Sequence, residues 1–80
     1  MLIEEITERY NEENFLLLEG LNDAIIGVEE RKMVLIYSVK KCLNILSKQM
    51  SEEEAIEHFY YNIFGSYLGE QTPIFCFDEF

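Results

Sequence analysis

His58 is the residue of this sequence best suited to chemistry near neutral pH, and it is the only histidine. Glu54 precedes it by one helical turn, and Glu57 lies beside it. These residues do not form an HExxH motif, and a metal site would need further ligands from elsewhere in the chain. The spacing therefore predicts a surface histidine that pairs along one face of a helix, not a metal ligand.

No other arrangement in the sequence indicates catalysis. The serines at positions 38, 47, 51 and 66 lack a nucleophile elbow, and a single histidine cannot be assigned to any of them. The segment GSYLG at 65–69 has neither the spacing nor the lysine of a phosphate-binding loop. Carboxylates are so abundant that no particular pair stands out. We predict a non-enzymatic protein with no catalytic residue, no metal ligand and no cofactor.

The charge balance limits the class of partner. Sixteen acidic and six basic residues give a net charge of −10. This charge opposes binding to DNA, RNA or anionic membranes, because affinity for phosphates comes from Lys and Arg. It permits the protein to present carboxylates to a basic surface, although an acidic surface also simply keeps a small apolar domain soluble. The carboxylates predicted to contact a partner are Glu52, Glu53, Glu57, Glu70, Asp78 and Glu79.

The length and the cysteines restrict the class of protein further. Eighty residues form one small domain with a thin core, and 49% hydrophobic residues leave apolar surface that a homodimer would cover. Cys42 and Cys76 form no CxxC pair and no zinc-ligand spacing, so they are either two reduced thiols or a disulfide. The sequence shows no signal-peptide pattern and no apolar run of membrane-spanning length. We expect a cytoplasmic protein that is not inserted in a membrane.

Hydrophobic periodicity predicts six elements in the order α-β-β-α-α-β. They are a helix at 2–10, strands at 23–29 and 33–37, helices at 39–50 and 51–64, and a strand after Pro73. Gly27 predicts a bulge in the first strand, and Ser38 an N-cap. The expected fold is α+β, with a small three-stranded antiparallel sheet and helices packed on one face. Residues 1–22 are interpreted as an N-terminal helical extension, 23–77 as a ββααβ core and 78–80 as an acidic tail.

The segment 51–73 carries the densest local signals. Ser51 and Glu54 predict a capping box. An apolar stripe follows, which assigns Tyr60 and Tyr67 to the core and leaves Tyr61 as the exposed aromatic residue available for contact. The stripe consists of Ala55, Ile56, Phe59, Tyr60, Ile63 and Tyr67. Either Gly65 or Gly69 is expected to end the helix in the left-handed conformation.

This segment also resembles a known family. The pattern EEAxExFxxNxxGxYxGExTP, with the preceding DAIIG and KCLNIL, is similar to small uncharacterised proteins encoded by tailed phages and prophages. The resemblance covers residues 23–77, and no activity is established for that family, so it transfers no functional residue. It implies a phage protein that works in the bacterial cytoplasm. The motif also indicates that Asn62, Glu70 and Thr72 form hydrogen bonds across the helix–strand connection and hold Pro73 in place.

Three functional hypotheses follow. The first is a phage-encoded protein that binds and inhibits a host protein, such as a nucleic-acid-binding enzyme or a defence effector, with an acidic face that imitates phosphates. The second is a homodimeric structural or assembly protein that pairs through aromatic surface such as Tyr61 and Phe64. The third is a protein that sequesters a small molecule.

Overall fold

The computed structural model describes residues 2–78, so the predicted partner contact of Glu79 lies outside the described residues. The α-helices are α1 (Leu2–Arg9), α2 (Val39–Leu46) and α3 (Glu52–His58), and the strands are β1 (Ile25–Glu29), β2 (Val34–Ser38) and β3 (Ile74–Cys76). A 3-10 helix at Asn22–Ala24 precedes β1, and a π-helical segment at Phe59–Phe64 continues α3. The α+β class with three strands is confirmed. The predicted order of elements leaves out the 3-10 helix, and the helix predicted at 51–64 ends in the π-helical segment.

The sheet is mixed, with the order β1-β2-β3. β1 and β2 are antiparallel, and a register shift between Ile25 and Gly27 confirms the predicted bulge. β2 and β3 are parallel, with Ile36 opposite Ile74 and Ser38 opposite Cys76. The prediction of an all-antiparallel sheet is therefore wrong. The physical reason is that α2 and α3 form a crossover between β2 and β3, and a crossover joins parallel strands.

The core lies between the sheet and the helices. Leu35 and Tyr37 alternate on the face of β2 that meets the helices, where they join buried side chains of α2 and α3. Ile6 and Leu21 belong to the same buried cluster. The part of the predicted extension that the structure describes, residues 2–22, therefore contributes Ile6 and Leu21 to the core.

Tyr37 fixes the path of the chain between α1 and β1. Its side chain is fully buried, and its hydroxyl accepts a 2.9 Å hydrogen bond from the backbone N–H of Leu18. Burial raises the pKa of the Tyr37 phenol. The segment around Phe15–Leu18, which the sequence left open between a helical turn and a packed loop, is a loop anchored on β2.

Both cysteines are free thiols, which excludes the disulfide alternative. Burial raises the pKa of Cys42 to about 12, whereas Cys76 is only half-buried. Because the thiolate is the reactive form, Cys42 should react with a disulfide reagent at pH 8 on the order of a thousandfold more slowly than an ordinary thiol. We expect Cys76 to react in the native protein and Cys42 only after denaturation in urea. A Cys76→Ala variant that still reacts rapidly without urea would contradict this assignment.

The connection between the π-helical segment and β3 is held by Thr72. Its hydroxyl accepts a 2.8 Å hydrogen bond from the N–H of Leu68 and donates a 2.6 Å bond to the carbonyl of Gly69. Pro73 follows as a buried residue immediately before β3. The predicted role of Thr72 is confirmed. The predicted role of Asn62 is wrong. Its side-chain amide contacts His58 within the helix, and its backbone carbonyl accepts a hydrogen bond from the Ser66 hydroxyl.

Gly69 adopts a φ of +96°, whereas Gly65 follows the helical segment with a φ of −81°. Gly69 therefore has the left-handed conformation but lies in the loop beyond the helix, so the prediction that Gly65 or Gly69 ends the helix in this conformation is wrong. An added Cβ at Gly65 would instead lie 3.3 Å from the Tyr60 carbonyl oxygen.

Gly69→Ala should lower the free energy of unfolding by about 1 kcal/mol, because an L-residue is strained at this φ. Urea unfolding measures the change, and Glu70→Ala at the exposed neighbouring position serves as the control, with an expected change below about 0.5 kcal/mol. Equal effects of the two substitutions would show that strain at Gly69 is not the cause.

Candidate functional site: the exposed face of α3

The start of α3 is fixed by the predicted capping box. Ser51 Oγ accepts a hydrogen bond of 3.2 Å from the Glu54 N–H, and Glu54 Oε1 accepts one of 3.3 Å from the Ser51 N–H. Glu52 and Glu53 lie in the first turn, where the helix dipole favours carboxylates. The capping roles of Ser51 and Glu54 are confirmed.

The π-helical segment changes which aromatic residues meet. A π-helix forms i→i+5 hydrogen bonds, so residues five apart approach the same side. The rings of Phe59 and Phe64 accordingly lie 6.0 Å apart, and Phe75 of β3 contacts both, at 5.3 and 5.7 Å between ring centroids. The wider turn therefore adds Phe64 to an aromatic cluster that joins the helix to the sheet.

Two rows of side chains follow the exposed face of this continuous helix at steps of four residues. We call these rows together the α3 surface. The first row is Glu52, Ile56, Tyr60 and Phe64, and the second is Glu53, Glu57 and Tyr61. Residues four apart are neighbours on a helix surface, so apolar side chains lie directly beside carboxylates.

The first row leaves much of its apolar surface in water. Ile56, Tyr60 and Phe64 are 41%, 40% and 42% exposed. The rings of Tyr60 and Phe64 meet edge to face at 5.5 Å, and Phe77, beyond the end of β3, extends this contact at 5.6 Å from Phe64. The surface is therefore a continuous strip rather than a set of isolated residues.

The exposure corrects part of the sequence prediction. Tyr61 is 81% exposed, which confirms that it lies off the buried stripe. The assignment of Tyr60 and Tyr67 to the core is wrong, since their side chains are 40% and 79% exposed. An α-helical period that continues past Gly65 places Tyr67 in the core, but the helix has already ended at that point. Ala55 and Phe59, both fully buried, supply the actual core contacts of α3.

The other predicted partner residues lie elsewhere. Glu70 lines a groove at the far end of the β1–β2 hairpin, together with Arg31, Lys32 and Tyr67. Asp78 is half-buried against the start of α2. The structure brings together Glu52, Glu53, Glu57 and Tyr61 on α3, but it separates Glu70 and Asp78 from them.

Asp78 forms part of the cap of α2. Ser38 Oγ donates a 2.6 Å hydrogen bond to Asp78 and accepts one of 3.0 Å from the N–H of Lys41, while the N–H of Lys40 lies 3.4 Å from the same carboxylate. The Ser38 hydroxyl is the main cause of a lowered pKa at Asp78. Parallel pairing places the end of β3 beside the start of α2, so the position of Asp78 follows from a strand direction that the sequence did not reveal.

His58 contacts Asn62, with 3.2 Å between the imidazole Nδ1 and the amide Nδ2. Its predicted pairing along the helix therefore involves an amide one turn later. Within residues 2–78, no group of three or more His, Cys, Asp and Glu side chains is arranged to hold a metal ion.

The helices described between residues 2 and 78 are too short and too polar for any of them to span a lipid bilayer. Comparison with known protein families, with curated proteins and with solved structures finds no match to this chain.

Proposed function

We propose that the protein is a non-enzymatic binding protein that acts by covering a surface of another protein with its α3 surface. The observation that carries this proposal is the exposed strip of Ile56, Tyr60 and Phe64 beside the carboxylates of α3. The resemblance to phage and prophage proteins supports a host protein of the bacterial cytoplasm as the target, inhibited by occlusion.

The size and rigidity of the strip suit recognition. Aromatic side chains have roughly 150–250 Å² each to bury, so the strip exposes on the order of 300 Å² of apolar area, the scale of functional patches on small proteins. Phe64 is supported from below by Phe59 and Phe75. A surface held in place by packed rings loses little conformational entropy on binding.

The carboxylates would contribute mainly to orientation and association rate. Charged groups at the rim of an interface steer encounter, and their effect falls as salt rises. Three of the carboxylates predicted from the sequence lie on α3 (Glu52, Glu53 and Glu57). The proposal therefore rests on a mixed apolar and acidic surface. A more specific version of it is that the carboxylates imitate a row of phosphates.

The experiment is a pull-down of tagged protein from bacterial lysate, washed at low and high salt and analysed by mass spectrometry. Tyr61→Ala and Ile56→Arg should each remove the captured target. Tyr67→Ala is the matched control, because Tyr67 is as exposed as Tyr61 but lies outside the α3 surface. A target retained by both α3 variants, or lost equally with Tyr67→Ala, would overturn the proposal.

A homodimer is the second candidate, favoured by one observation. β3 is an edge strand, and Phe77 next to it is 47% exposed, so a second copy could extend the sheet and cover the strip. Sedimentation equilibrium over a hundredfold concentration range tests this candidate. A dimer that Phe77→Glu dissociates supports it, and a monomer throughout excludes it.

A further inference from the structure

The α3 surface specifies the chemistry of what covers it. Its apolar row, formed by Ile56, Tyr60 and Phe64, is nearly half exposed along its whole length. Covering these side chains is favourable only with apolar groups, because the gain in free energy comes from removing apolar surface from water. The partner must therefore present an apolar strip of about two helical turns.

The acidic row imposes the second requirement. Glu53 and Glu57 lie beside the apolar row on the same helix, and Glu52 lies one turn before Ile56. A partner that covers the strip comes within a few ångströms of these carboxylates and removes part of their water. Burying a carboxylate without a counter-charge is costly, whereas a Lys or Arg at that position recovers the loss.

A second copy that packs its own α3 surface against this one does not satisfy this requirement. A twofold interface would place the same surface of each copy face to face. Glu53 and Glu57 of one protomer would then approach carboxylates of the other, between two chains that each carry a charge of −10. Like charges opposed at a partly desolvated interface weaken it.

We propose that the α3 surface binds a basic amphipathic helix of a partner protein, with its apolar side chains over Ile56, Tyr60 and Phe64 and its Lys or Arg side chains against Glu53 and Glu57. The apolar helix-in-groove mode and charge complementarity then operate on one surface. This inference rests on the proposed function and names the chemical class of the partner.

The test uses three fluorescent helical peptides and the full chain. The first has a leucine stripe flanked by lysines, the second replaces the lysines with glutamates, and the third replaces the leucines with serines. Binding is measured by fluorescence anisotropy at two salt concentrations. We expect binding of the lysine–leucine peptide alone, weakened by salt.

Matched charge variants separate the site from the net charge. The triple variant Glu52→Gln, Glu53→Gln and Glu57→Gln should weaken binding roughly tenfold, which corresponds to about 1.4 kcal/mol in total for the three rim charges. The control is Glu4→Gln, Glu5→Gln and Glu8→Gln on α1, which neutralises the same number of exposed carboxylates on another helix. Its effect should stay below about twofold, consistent with screening of distant charges.

The following results would overturn the inference. Equal losses in the two triple variants would assign the binding to net charge, and binding of the serine or glutamate peptide would remove the amphipathic or the basic requirement. A dimer strengthened by the α3 triple variant would identify a second copy as the occupant. If these peptides fail while Ile56→Arg still abolishes capture from lysate, the proposed function stands and only the basic amphipathic partner is rejected.

Discussion

Phe59→Ala is expected to lower the free energy of unfolding by about 3–5 kcal/mol, the usual cost of removing a buried phenylalanine. Phe59 is fully buried and contacts the rings of Tyr60, Phe64 and Phe75. It is the side chain through which α3, its π-helical continuation and β3 pack together. A domain of this size has little stability to spare, so the variant should be partly unfolded at 25 °C.

The measurement is urea unfolding followed by circular dichroism, with Phe77→Ala as the matched control. Phe77 is 47% exposed and meets the cluster at its edge, through Phe64. The same chemical change should cost about 1 kcal/mol there, because only half of the ring leaves water on folding. Similar losses for both variants would mean that the aromatic cluster does not centre on Phe59.

Local signals in the sequence were sufficient wherever a local interaction decides the structure. The capping box of Ser51 and Glu54, the N-cap at Ser38 and the bulge at Gly27 each depend on residues within one turn or one strand. The apolar run at 33–37 lacks alternation, which favours a strand that is covered on both sides or central in its sheet, and β2 lies between β1 and β3. Such features need no knowledge of distant contacts.

The features that the sequence did not predict depend on tertiary pairing. The direction of β3 follows from the crossover through α2 and α3, which periodicity does not specify. The helix turns Ala55 and Phe59 inward, leaves Tyr60 in water and ends at Phe64, so Tyr60 and Tyr67 do not lie in the core that the apolar stripe predicts. The role of Asp78 required knowledge of this strand direction, because parallel pairing places Cys76 opposite Ser38 and so brings Asp78 to the Ser38 hydroxyl.

The candidate site shows the same division. The exposure of Tyr61 followed from its place off the helical stripe, and the carboxylates of the first turn followed from the capping signal. Within the apolar strip the sequence indicates only Phe64 as surface, because Ile56 and Tyr60 are the same residue types that fill cores. Only the fold shows that Ala55 and Phe59 face the sheet and leave this strip in water.

Ser38→Ala is the second substitution expected to have a large effect. The Ser38 side chain is fully buried. Its hydroxyl accepts a hydrogen bond from the Lys41 N–H, which caps α2, and donates a hydrogen bond to Asp78. Loss of the cap alone should cost about 1–2 kcal/mol at pH 7. Ser47→Ala is the control, since the exposed Ser47 hydroxyl only donates to the Leu43 carbonyl of its own helix, and its change should stay below about 0.5 kcal/mol.

The pH dependence distinguishes the hydrogen bond to Asp78 from the cap. Because folding lowers the pKa of Asp78, its contribution to stability is complete above its unfolded pKa of about 4 and is lost as the pH falls through the lower folded value. Without the Ser38 hydroxyl the main cause of this shift is gone, so Ser38→Ala should lose less stability than the wild type between pH 6 and pH 2. Glu29, whose pKa is lowered by the backbone N–H groups of Lys32 and Arg31, contributes equally to both proteins. Parallel stability–pH curves for wild type and variant would show that Asp78 gains nothing from Ser38. Narrowing of the difference between the two curves at low pH, down to the cost of the lost cap, would establish that the carboxylate after β3 helps to hold the start of α2.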